Sequence, residues 1–491
     1  MNGDMAVFLS SGMLQPKKGD HELARRHLYL NYGLLGLATT VAQRGHKARV
    51  YHGGFADPDD IVQRLCTDRV VPTARPFFVS IPSYYAVEWA SLFCAALRRL
   101  QPDVQIVVGG RWVVDLDGSW IKCRIPDANL VVYGTAEGRI ESLLSPTWWD
   151  RIPYTDRTGA FEPEPPLRSL PDLDYRLLDG YRDYQPSIEI SRGCGRGCNF
   201  CAEGRSRISA LRPVQRVLRA IRHCSDVYGE NTFHPYFEAS FFFPTRAWAH
   251  ELRSLFRREG ITTRWRCETR ADALHPDTIA ILADAGLKVI DLGLESASSS
   301  QLLAMGKTTN PAAYLKRASA LLDACRSLGV WVKANILLFP GETEESISET
   351  VAWLGERKEC LKGVSVGPLV VFGHTEETRR YLDSLRPLGA LPVDEDALER
   401  VGYSELHLSR SLDGSGARAT ALILSRQFMT DRDYYDLKSF TYFPRSFSFD
   451  DFTSIVSATD PATLPFRVAG QPPARTGASS SRTVGAKRKP V

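Results

Sequence analysis

The first 145 residues alternate short apolar runs with stretches of helical periodicity. The apolar runs are rich in β-branched residues, which is typical of strands buried on both faces. The stretches between them, such as 28–44 and 86–100, repeat apolar residues at helical spacing. This pattern predicts a doubly wound parallel sheet for residues 1–145, with ligands at the carboxyl ends of the strands. The predicted strands are 6–11, 48–52, 76–81, 104–108 and 129–133.

A second alternation of apolar runs and amphipathic stretches covers residues 187–375. Six consecutive strand-helix units predict a partial (β/α)6 barrel, with its chemistry at the carboxyl ends of the strands. The expected fold class is therefore α/β, with a doubly wound parallel sheet followed by this partial barrel. The predicted barrel strands are 187–190, 233–238, 263–269, 288–294, 330–339 and 363–371.

Three segments depart from this alternation. Residues 146–186 contain several prolines, which interrupt regular elements and predict a linker. Residues 376–467 include an aromatic-rich stretch, 435–452, which we expect to pack over the open barrel mouth or to line a site for a planar substrate. Residues 468–491 are rich in Ser, Pro, Gly and basic residues, and predict a disordered tail.

Length and charge limit the function classes. A chain of 491 residues exceeds the usual size of one domain, in agreement with two or three domains. No apolar run is long enough to span a bilayer, and the first residues lack the basic and apolar parts of a signal peptide. We therefore expect a cytoplasmic protein with no membrane partner. The net charge of +4 is small for this length, so we expect no nucleic-acid partner.

Three cysteines follow the first predicted barrel strand. Cys194, Cys198 and Cys201 form a Cys-x3-Cys-x2-Cys array, with Gly195 and Gly197 between the first two. Glycines allow the positive φ values and close backbone approach that a loop around a metal centre needs. Three thiolates on one loop suit an iron–sulfur cluster better than structural zinc, which almost always takes four protein ligands. The other cysteines show no paired spacing and are expected to be mostly small buried hydrophobic residues.

A zinc site with His223 or Cys224 as the fourth ligand is the alternative that the spacing leaves open. The cysteine array, with Phe200 just before its last member, resembles the motif of radical S-adenosylmethionine (SAM) enzymes. The resemblance implies a [4Fe–4S] cluster held by the three cysteines. It also implies an open iron that chelates the amino and carboxylate groups of SAM.

Polar residues at the carboxyl ends of the predicted barrel strands suit a ligand site. Glu295 suits ribose hydroxyls or an ammonium group, and Arg270 suits a carboxylate as a bidentate fork, although a structural ion pair stays open for either. Segments 269–272, 293–296 and 339–346 resemble recurring blocks of cobalamin-dependent radical SAM proteins. The acid pair often found after the second barrel strand is replaced here by Ala and Ser. The residues expected at SAM are Phe200, Glu238, Arg270, Glu295, Ser296 and Ile336.

Segments 33–37, 44–48, 107–110 and 132–137 resemble the cobalamin-binding domain that precedes many radical SAM domains. The Asp-x-His-x-x-Gly motif of one branch of that family, whose histidine ligates cobalt from below, is absent, and His52 is expected to be structural. A domain that no longer binds a cofactor is the alternative. The residues that the resemblance places at cobalamin are Ser80, Ser83, Gly109, Gly110, Gly134 and Thr135.

The order of a cobalamin-like sheet, a linker and a cluster-bearing barrel resembles the class B radical SAM methyltransferases. The resemblance implies methylation of an unactivated carbon through a 5′-deoxyadenosyl radical and methylcobalamin. We expect a small-molecule substrate of the antibiotic type, such as a heteroaromatic intermediate, and an external electron donor of the flavodoxin or ferredoxin type. The alternatives are a radical SAM cyclase, oxidase or ring-rearranging enzyme without methyl transfer, and a non-catalytic iron–sulfur or cobalamin sensor.

Overall fold

The fold is described by a computed structural model that covers residues 4–17, 19–113, 118–145 and 166–468. Two parallel sheets dominate these residues, and a small antiparallel sheet follows them. About half of the predicted linker, residues 146–165, and nearly all of the predicted tail, residues 469–491, lie outside the described residues. The domain boundaries proposed above stay predictions.

The first sheet has five parallel strands in the spatial order β2-β1-β3-β4-β5. This arrangement confirms the predicted doubly wound sheet. Strand β1 lies centrally and is almost completely buried, as continuous apolar runs predict. The strands are β1 (Met5–Ser10), β2 (Lys47–His52), β3 (Phe77–Ser80), β4 (Ile106–Gly109) and β5 (Leu130–Val131).

Side-chain caps set where the helices of this sheet begin. The Asn31 side chain accepts a hydrogen bond from the backbone N–H of Leu34 at 3.1 Å, so the second helix begins at Tyr32 rather than at residue 28. Asp57 caps the third helix, whose first residue is Pro58. The helices are α1 (Glu22–Arg25), α2 (Tyr32–Gln43), α3 (Pro58–Thr67), α4 (Val87–Leu100), α5 (Ser119–Arg124) and α6 (Ile140–Leu143).

The second sheet has six parallel strands that neighbour one another in chain order. This topology confirms the predicted partial (β/α)6 barrel. Its strands are β6 (Ser187–Glu189), β7 (Tyr236–Glu238), β8 (Trp265–Arg270), β9 (Leu287–Glu295), β10 (Trp331–Leu338) and β11 (Gly363–Pro368). Its helices are α7 (Val214–Tyr228), α8 (Arg246–Arg258), α9 (Pro276–Asp284), α10 (Ser299–Ala304), α11 (Pro311–Ser327) and α12 (Glu344–Glu356).

The barrel strands turn alternate side chains toward the helices and toward the space that the sheet encloses, which we call the lumen. On β10 the residues Val332, Ala334, Ile336 and Leu338 are buried in the core, and the residues between them are half-buried. Lumen positions on the other strands follow from the parallel register, which places Lys333 beside Asp291 and Asp291 beside Glu268.

The region after the barrel forms the third sheet and five helices. The sheet is antiparallel and contains β12 (Val370–Phe372), β13 (Leu391–Pro392) and β14 (Tyr403–His407). The helices are α13 (Glu376–Leu385), α14 (Ala397–Val401), α15 (Gly414–Gln427), α16 (Asp431–Ser439) and α17 (Phe449–Ala458).

The aromatic stretch 435–452 lies at the amino ends of the barrel strands, and this corrects its expected position at the open mouth or around a substrate. The Phe440 ring stacks on His234, shortly before β7, with 4.3 Å between ring centroids. Arg266, near the start of β8, donates from Nη1 to the backbone oxygen of Leu437 at 2.7 Å. The cysteine array follows the opposite end of β6, so this stretch closes the barrel floor.

One hydrophobic core joins the first sheet to the barrel. It contains Phe8 and Leu35 from the first sheet and its helix α2, Tyr175 from the segment between the sheets, and Ile188 from β6. The Tyr175 hydroxyl also donates to the backbone oxygen of Ser187 at 2.7 Å. No helix among the described residues is both long and apolar enough to cross a bilayer.

Candidate cluster and cofactor site

The loop after β6 depends on glycine at three positions. Gly193, Gly195 and Gly197 have φ values of 71°, 67° and 70°, in the left-handed region that favours glycine. A Cβ atom on Gly193 would lie 2.3 Å from the backbone oxygen of Arg207, so a side chain has no room there. The backbone N–H of Cys194 donates to the oxygen of Ser206 at 2.9 Å, which closes the loop.

The three thiols of this loop lie close enough to influence one another. Burial raises the pKa of Cys201, and the neighbouring Cys194 and Cys198 raise it further. Within the described residues, no three side chains of His, Cys, Asp or Glu are gathered around a position for a single metal ion. An iron–sulfur cluster needs wider spacing, because each cysteine binds a different iron. Three thiols on one loop suit such a cluster, with one iron left without a protein ligand.

The alternative fourth zinc ligands lie elsewhere in the fold. His223 and Cys224 belong to α7, and the His223 ring stacks on Tyr175 with 6.3 Å between ring centroids. Cys224 is fully buried in the core that joins the two sheets, and burial raises its pKa to about 12. These contacts explain Cys224 as a core residue and His223 as a packing partner of Tyr175 rather than as metal ligands.

Arg270, at the end of β8, contacts the cysteine loop directly. Its Nη1 donates to Sγ of Cys198 at 3.1 Å, and its Nη2 donates to the backbone oxygen of Lys307 at 2.6 Å. The paired donors of the guanidinium are held by Asp272, at 2.9 and 3.2 Å. The two guanidinium donors of Arg270 that were expected to bind a carboxylate of SAM are thus bonded to Asp272. Arg270 instead donates a hydrogen bond to the cluster ligand Cys198.

Glu295 and Lys307 form a partly buried ion pair beside the loop. Glu295 ends β9 with a positive φ of 67°, and its Oε1 lies 2.9 Å from Nζ of Lys307. A Cβ atom on Gly293 would lie 2.9 Å from the same carboxylate oxygen, so the pair needs glycine there. The Lys307 ammonium lies 5.8 Å from the ring centroid of Phe200. Phe200, Glu295 and Lys307 therefore line one side of the cluster loop.

The remaining residues predicted at SAM occupy different positions. The Ser296 hydroxyl lies 3.1 Å from the Thr350 hydroxyl of α12 and accepts from the backbone N–H of Ser298, so it faces away from the lumen. Ile336 pairs with Glu295 where the register of β10 shifts. Glu238 accepts a hydrogen bond from the Ser187 hydroxyl at 2.7 Å. Burial raises the pKa of Glu238 to about 8, although this bond opposes the shift.

Below these residues, a buried charge group crosses the lumen. Arg266 donates from Nε and Nη2 to the carboxylate of Asp291, at 2.5 and 2.7 Å. Lys333 lies 2.7 Å from the same carboxylate. Burial opposes ionisation of Asp291, but Arg266 and Lys333 hold its pKa well below its usual range. This group separates the upper lumen from the aromatic stretch on the barrel floor.

The residues predicted at cobalamin lie at the carboxyl ends of β3 and β4 and beyond β5 in the first sheet. Ser80 accepts from the Asn31 side-chain amide at 3.1 Å. Gly110 has a φ of 118°, and a Cβ atom there would lie 2.8 Å from the backbone of Ile81. Gly134 has a φ of 74° with open space around its Cβ position. These features match the edge at which such sheets bind ligands. The positions of Ser83, Gly109 and Thr135 agree with the same edge.

His52, at the carboxyl end of β2, is engaged with the segment between the two sheets. Its Nδ1 lies 3.2 Å from the Tyr184 hydroxyl, and the two rings meet edge to face. Burial lowers the pKa of His52 to about 4. These contacts agree with the structural role expected for this residue.

Charged residues connect the edge of the first sheet to the cysteine loop. Arg192, two residues before Cys194, donates to Glu189 at 2.6 Å and to Glu137 at 3.1 Å. Glu137 follows β5, so this contact joins the first sheet to the barrel. Arg111, which follows β4, pairs with Glu203 just beyond the loop. The sequence alone does not predict these contacts, because no local sequence pattern links residues that lie so far apart in the chain.

Residues 188–354 match the radical SAM superfamily. The matched range begins within β6, contains the three cysteines and ends within α12. The chain therefore contains a radical SAM domain, and the prediction made from the cysteine array is confirmed. A domain of this kind uses a [4Fe–4S] cluster and SAM, and the loop described above fits the cluster.

Solved structures share this fold. A radical SAM methyltransferase, TsrM from Kitasatospora setae with cobalamin and a [4Fe–4S] cluster bound, gives a TM-score of 0.58 at 17% identity, covering 95% of this chain and 93% of that one. The cobalamin-dependent SAM radical enzyme OxsB, with aqua-cobalamin and SAM bound, gives 0.56 at 13% identity, covering 92% and 66%. At such identities the likeness establishes a shared fold.

A curated relative is the hopanoid C-3 methylase of Methylococcus capsulatus. It is 26% identical to this chain over 278 residues. The match covers 53% of this chain and 51% of the methylase, so the chain spans about half the length of that relative.

Proposed function

We propose that this chain, with its radical SAM domain, is a cobalamin-dependent radical SAM methyltransferase that acts on a small molecule. The observation that carries the proposal is the contact between the edge of the first sheet and the cysteine loop, made by Glu137 and Arg192. This contact brings the ligand-binding edge of one sheet to the cluster site of the other. The likeness of this chain to the methyltransferase TsrM and to the hopanoid C-3 methylase supports the same activity.

The chain's own residues supply the setting for this chemistry. When bound, the cluster supplies the electron that cleaves SAM, and cobalamin supplies a methyl carrier. Cys194, Cys198 and Cys201 would hold the cluster, and Arg270 donates to one of these thiols. The edge of the first sheet, where Gly134 has open space around its Cβ position, would accept the corrin. With a substrate bound in the lumen, the barrel wall would shield the reacting groups from bulk water.

An external electron donor of the flavodoxin or ferredoxin type completes the proposal. Arg196, Arg205 and Arg207 are exposed on and after the cysteine loop. Arg196 lies over the stacked rings of Phe241 and Phe243, and Phe243 is largely exposed. A basic surface with an aromatic base suits an acidic donor that must come close to the cluster. The antibiotic-type heteroaromatic substrate stays a prediction from the sequence.

Cofactor content tests the proposal before any substrate is known. The protein is reconstituted anaerobically with iron, sulfide and hydroxocobalamin, desalted, and assayed for all three. We expect about four irons, four sulfides and one corrin for each chain. With SAM and a reductant, S-adenosylhomocysteine is expected beside 5′-deoxyadenosine. Cluster and 5′-deoxyadenosine without corrin or S-adenosylhomocysteine would favour the cyclase or oxidase alternative, and absence of both nucleoside products would favour a sensor.

A further inference from the structure

Two carboxylates, Glu238 and Glu268, lie side by side on the neighbouring barrel strands β7 and β8. Tyr236 on β7 pairs in register with Arg266 on β8. Glu238 and Glu268 each lie two residues further along their strands, so they point to the same face as that pair. The ring of Tyr236 lies 5.8 Å from the Arg266 guanidinium, and Arg266 bonds Asp291 on the neighbouring strand β9. The alternate residues Trp265 and Cys267 belong to the hydrophobic core, so the face that carries Arg266 and Glu268 is the lumen.

Glu268 is reached by solvent from within the barrel. It is the one exposed residue of β8, whose other five residues are buried. Strand β8 is an inner strand of the sheet, with β7 on one side and β9 on the other. Its buried neighbours Cys267 and Trp265 belong to the core that the outer helices cover. The exposed side chain of Glu268 therefore faces the lumen. It lies beside Asp291 in the strand register and two residues beyond Arg266 on β8.

The cations around the lumen are engaged by other carboxylates. Arg266 and Lys333 bind Asp291, Arg270 binds Asp272, and Lys307 binds Glu295. Within the described residues, no side chain forms an ion pair or hydrogen bond with the Glu268 carboxylate. Among the described residues, the Glu238 carboxylate receives a hydrogen bond only from the neutral hydroxyl of Ser187. Burial raises the pKa of Glu268 to about 7, and Asp291 raises it further, while Lys333 and Lys307 oppose the shift.

Uncompensated carboxylates of this kind are costly to bury under an apolar ligand. A hydrocarbon filling the lumen would remove the water that now reaches Glu268 and would provide no donor in exchange. A divalent cation would need more ligands than these two acids offer, and no group of three metal-binding side chains occurs among the described residues. An ammonium group meets both needs, because it carries a positive charge and three donors.

We propose that Glu268, with Glu238 beside it, binds a protonated amine of the substrate, so that the substrate class is a small-molecule amine. This inference rests on the proposed function and names the substrate class of that same site. Glu268 lies two residues below Arg270 on one strand, about 7 Å along it, and Arg270 contacts the cluster ligand Cys198. A substrate held at its amine would extend from Glu268 toward the cluster end of the lumen.

The experiment compares two probes that differ in one group, 2-phenylethylamine and 2-phenylethanol. Binding to the anaerobically reconstituted protein with SAM is measured by calorimetry, without turnover. We expect the amine to bind at least about tenfold more tightly than the alcohol, because a charge-assisted hydrogen bond forms only with the amine. Glu268→Gln is expected to remove this preference, and Glu268→Asp, which keeps the charge, is expected to retain part of it.

Glu349→Gln provides the matched control, because Glu349 is an exposed glutamate on α12 and makes no hydrogen bond or ion pair with the described residues. This variant should keep the full preference for the amine. Equal binding of the two probes, no binding of either, or a preference that survives Glu268→Gln would overturn the inference. Because binding is measured without methyl transfer, failure of this inference and failure of the proposed function give different results.

Discussion

Arg270 donates a hydrogen bond to Sγ of Cys198 at 3.1 Å, and Asp272 fixes the guanidinium in that position. A donor on a ligating sulfur stabilises the reduced form of a cluster, because reduction adds negative charge to the sulfur. The end of β8 thus influences the cluster electronically as well as supporting the loop. This role differs from the carboxylate fork expected from the sequence.

Replacing Arg270 by lysine keeps the positive charge but removes the planar guanidinium, whose donors bond Asp272 and Cys198 together. We expect Arg270→Lys to lower the reduction potential by on the order of 50 mV, since one charge-assisted hydrogen bond contributes about 1.5 kcal/mol. The potential is measured by redox titration followed by electron paramagnetic resonance. Arg246→Lys is the control, because Arg246 is exposed at the start of α8. A potential unchanged in Arg270→Lys would show that the bond has no electronic role.

The three cysteines of the loop can be compared with a thiol outside it. Alanine at Cys194, Cys198 or Cys201 should reduce the iron and sulfide content severalfold after reconstitution, because each thiol binds its own iron. Cys66→Ala, at an exposed cysteine of α3, should leave the content unchanged. Iron and sulfide are measured by colorimetric assay together with the visible spectrum. Full cluster content in any of the three loop variants contradicts the assignment.

Much of this architecture was predictable, because both sheets follow from apolar runs separated by helical periods. The cysteine loop was predictable for a local reason, since its glycines and thiols lie in one short segment. The residues that face the lumen could not be predicted. Periodicity shows that Glu268 alternates with buried neighbours, but it does not show which side of the sheet Glu268 faces. The aromatic stretch was misplaced for a similar reason. Its contacts, such as Arg266 with Leu437, join residues far apart in the chain.

The contact between the two sheets gives a stability prediction. Arg192 and Glu137 are about four-fifths buried, and their 3.1 Å contact links the first sheet to the loop. A double-mutant cycle with Arg192→Lys and Glu137→Gln, read by urea unfolding, should give a coupling of about 1 kcal/mol. The exposed pair Arg44–Glu141 is the control and should couple by less than about 0.5 kcal/mol. Equal coupling in both cycles would mean that Arg192 does not fasten the interface.

The raised pKa of Glu268, about 7, predicts a pH dependence for amine binding. As pH rises from 6 toward 8, the carboxyl loses its proton while an alkyl amine stays protonated, so affinity should rise severalfold. Glu238, whose pKa burial raises to about 8, also lies beside this carboxyl and should broaden the transition. Calorimetry with 2-phenylethylamine at several pH values provides the curve. The Glu268→Gln variant should flatten it, and an affinity that falls with pH would exclude the carboxylate as the acceptor.

The central claim is that the cluster-bearing barrel and the first sheet together move a methyl group from SAM to a corrin. The most direct measurement incubates the reconstituted, reduced protein with SAM deuterated at its methyl group, without any substrate, and extracts the corrin for mass spectrometry. The account predicts a deuterated methyl group on the corrin and one S-adenosylhomocysteine for each label transferred. Corrin that is retained by the protein but carries no label, while SAM is cleaved to 5′-deoxyadenosine, would contradict it.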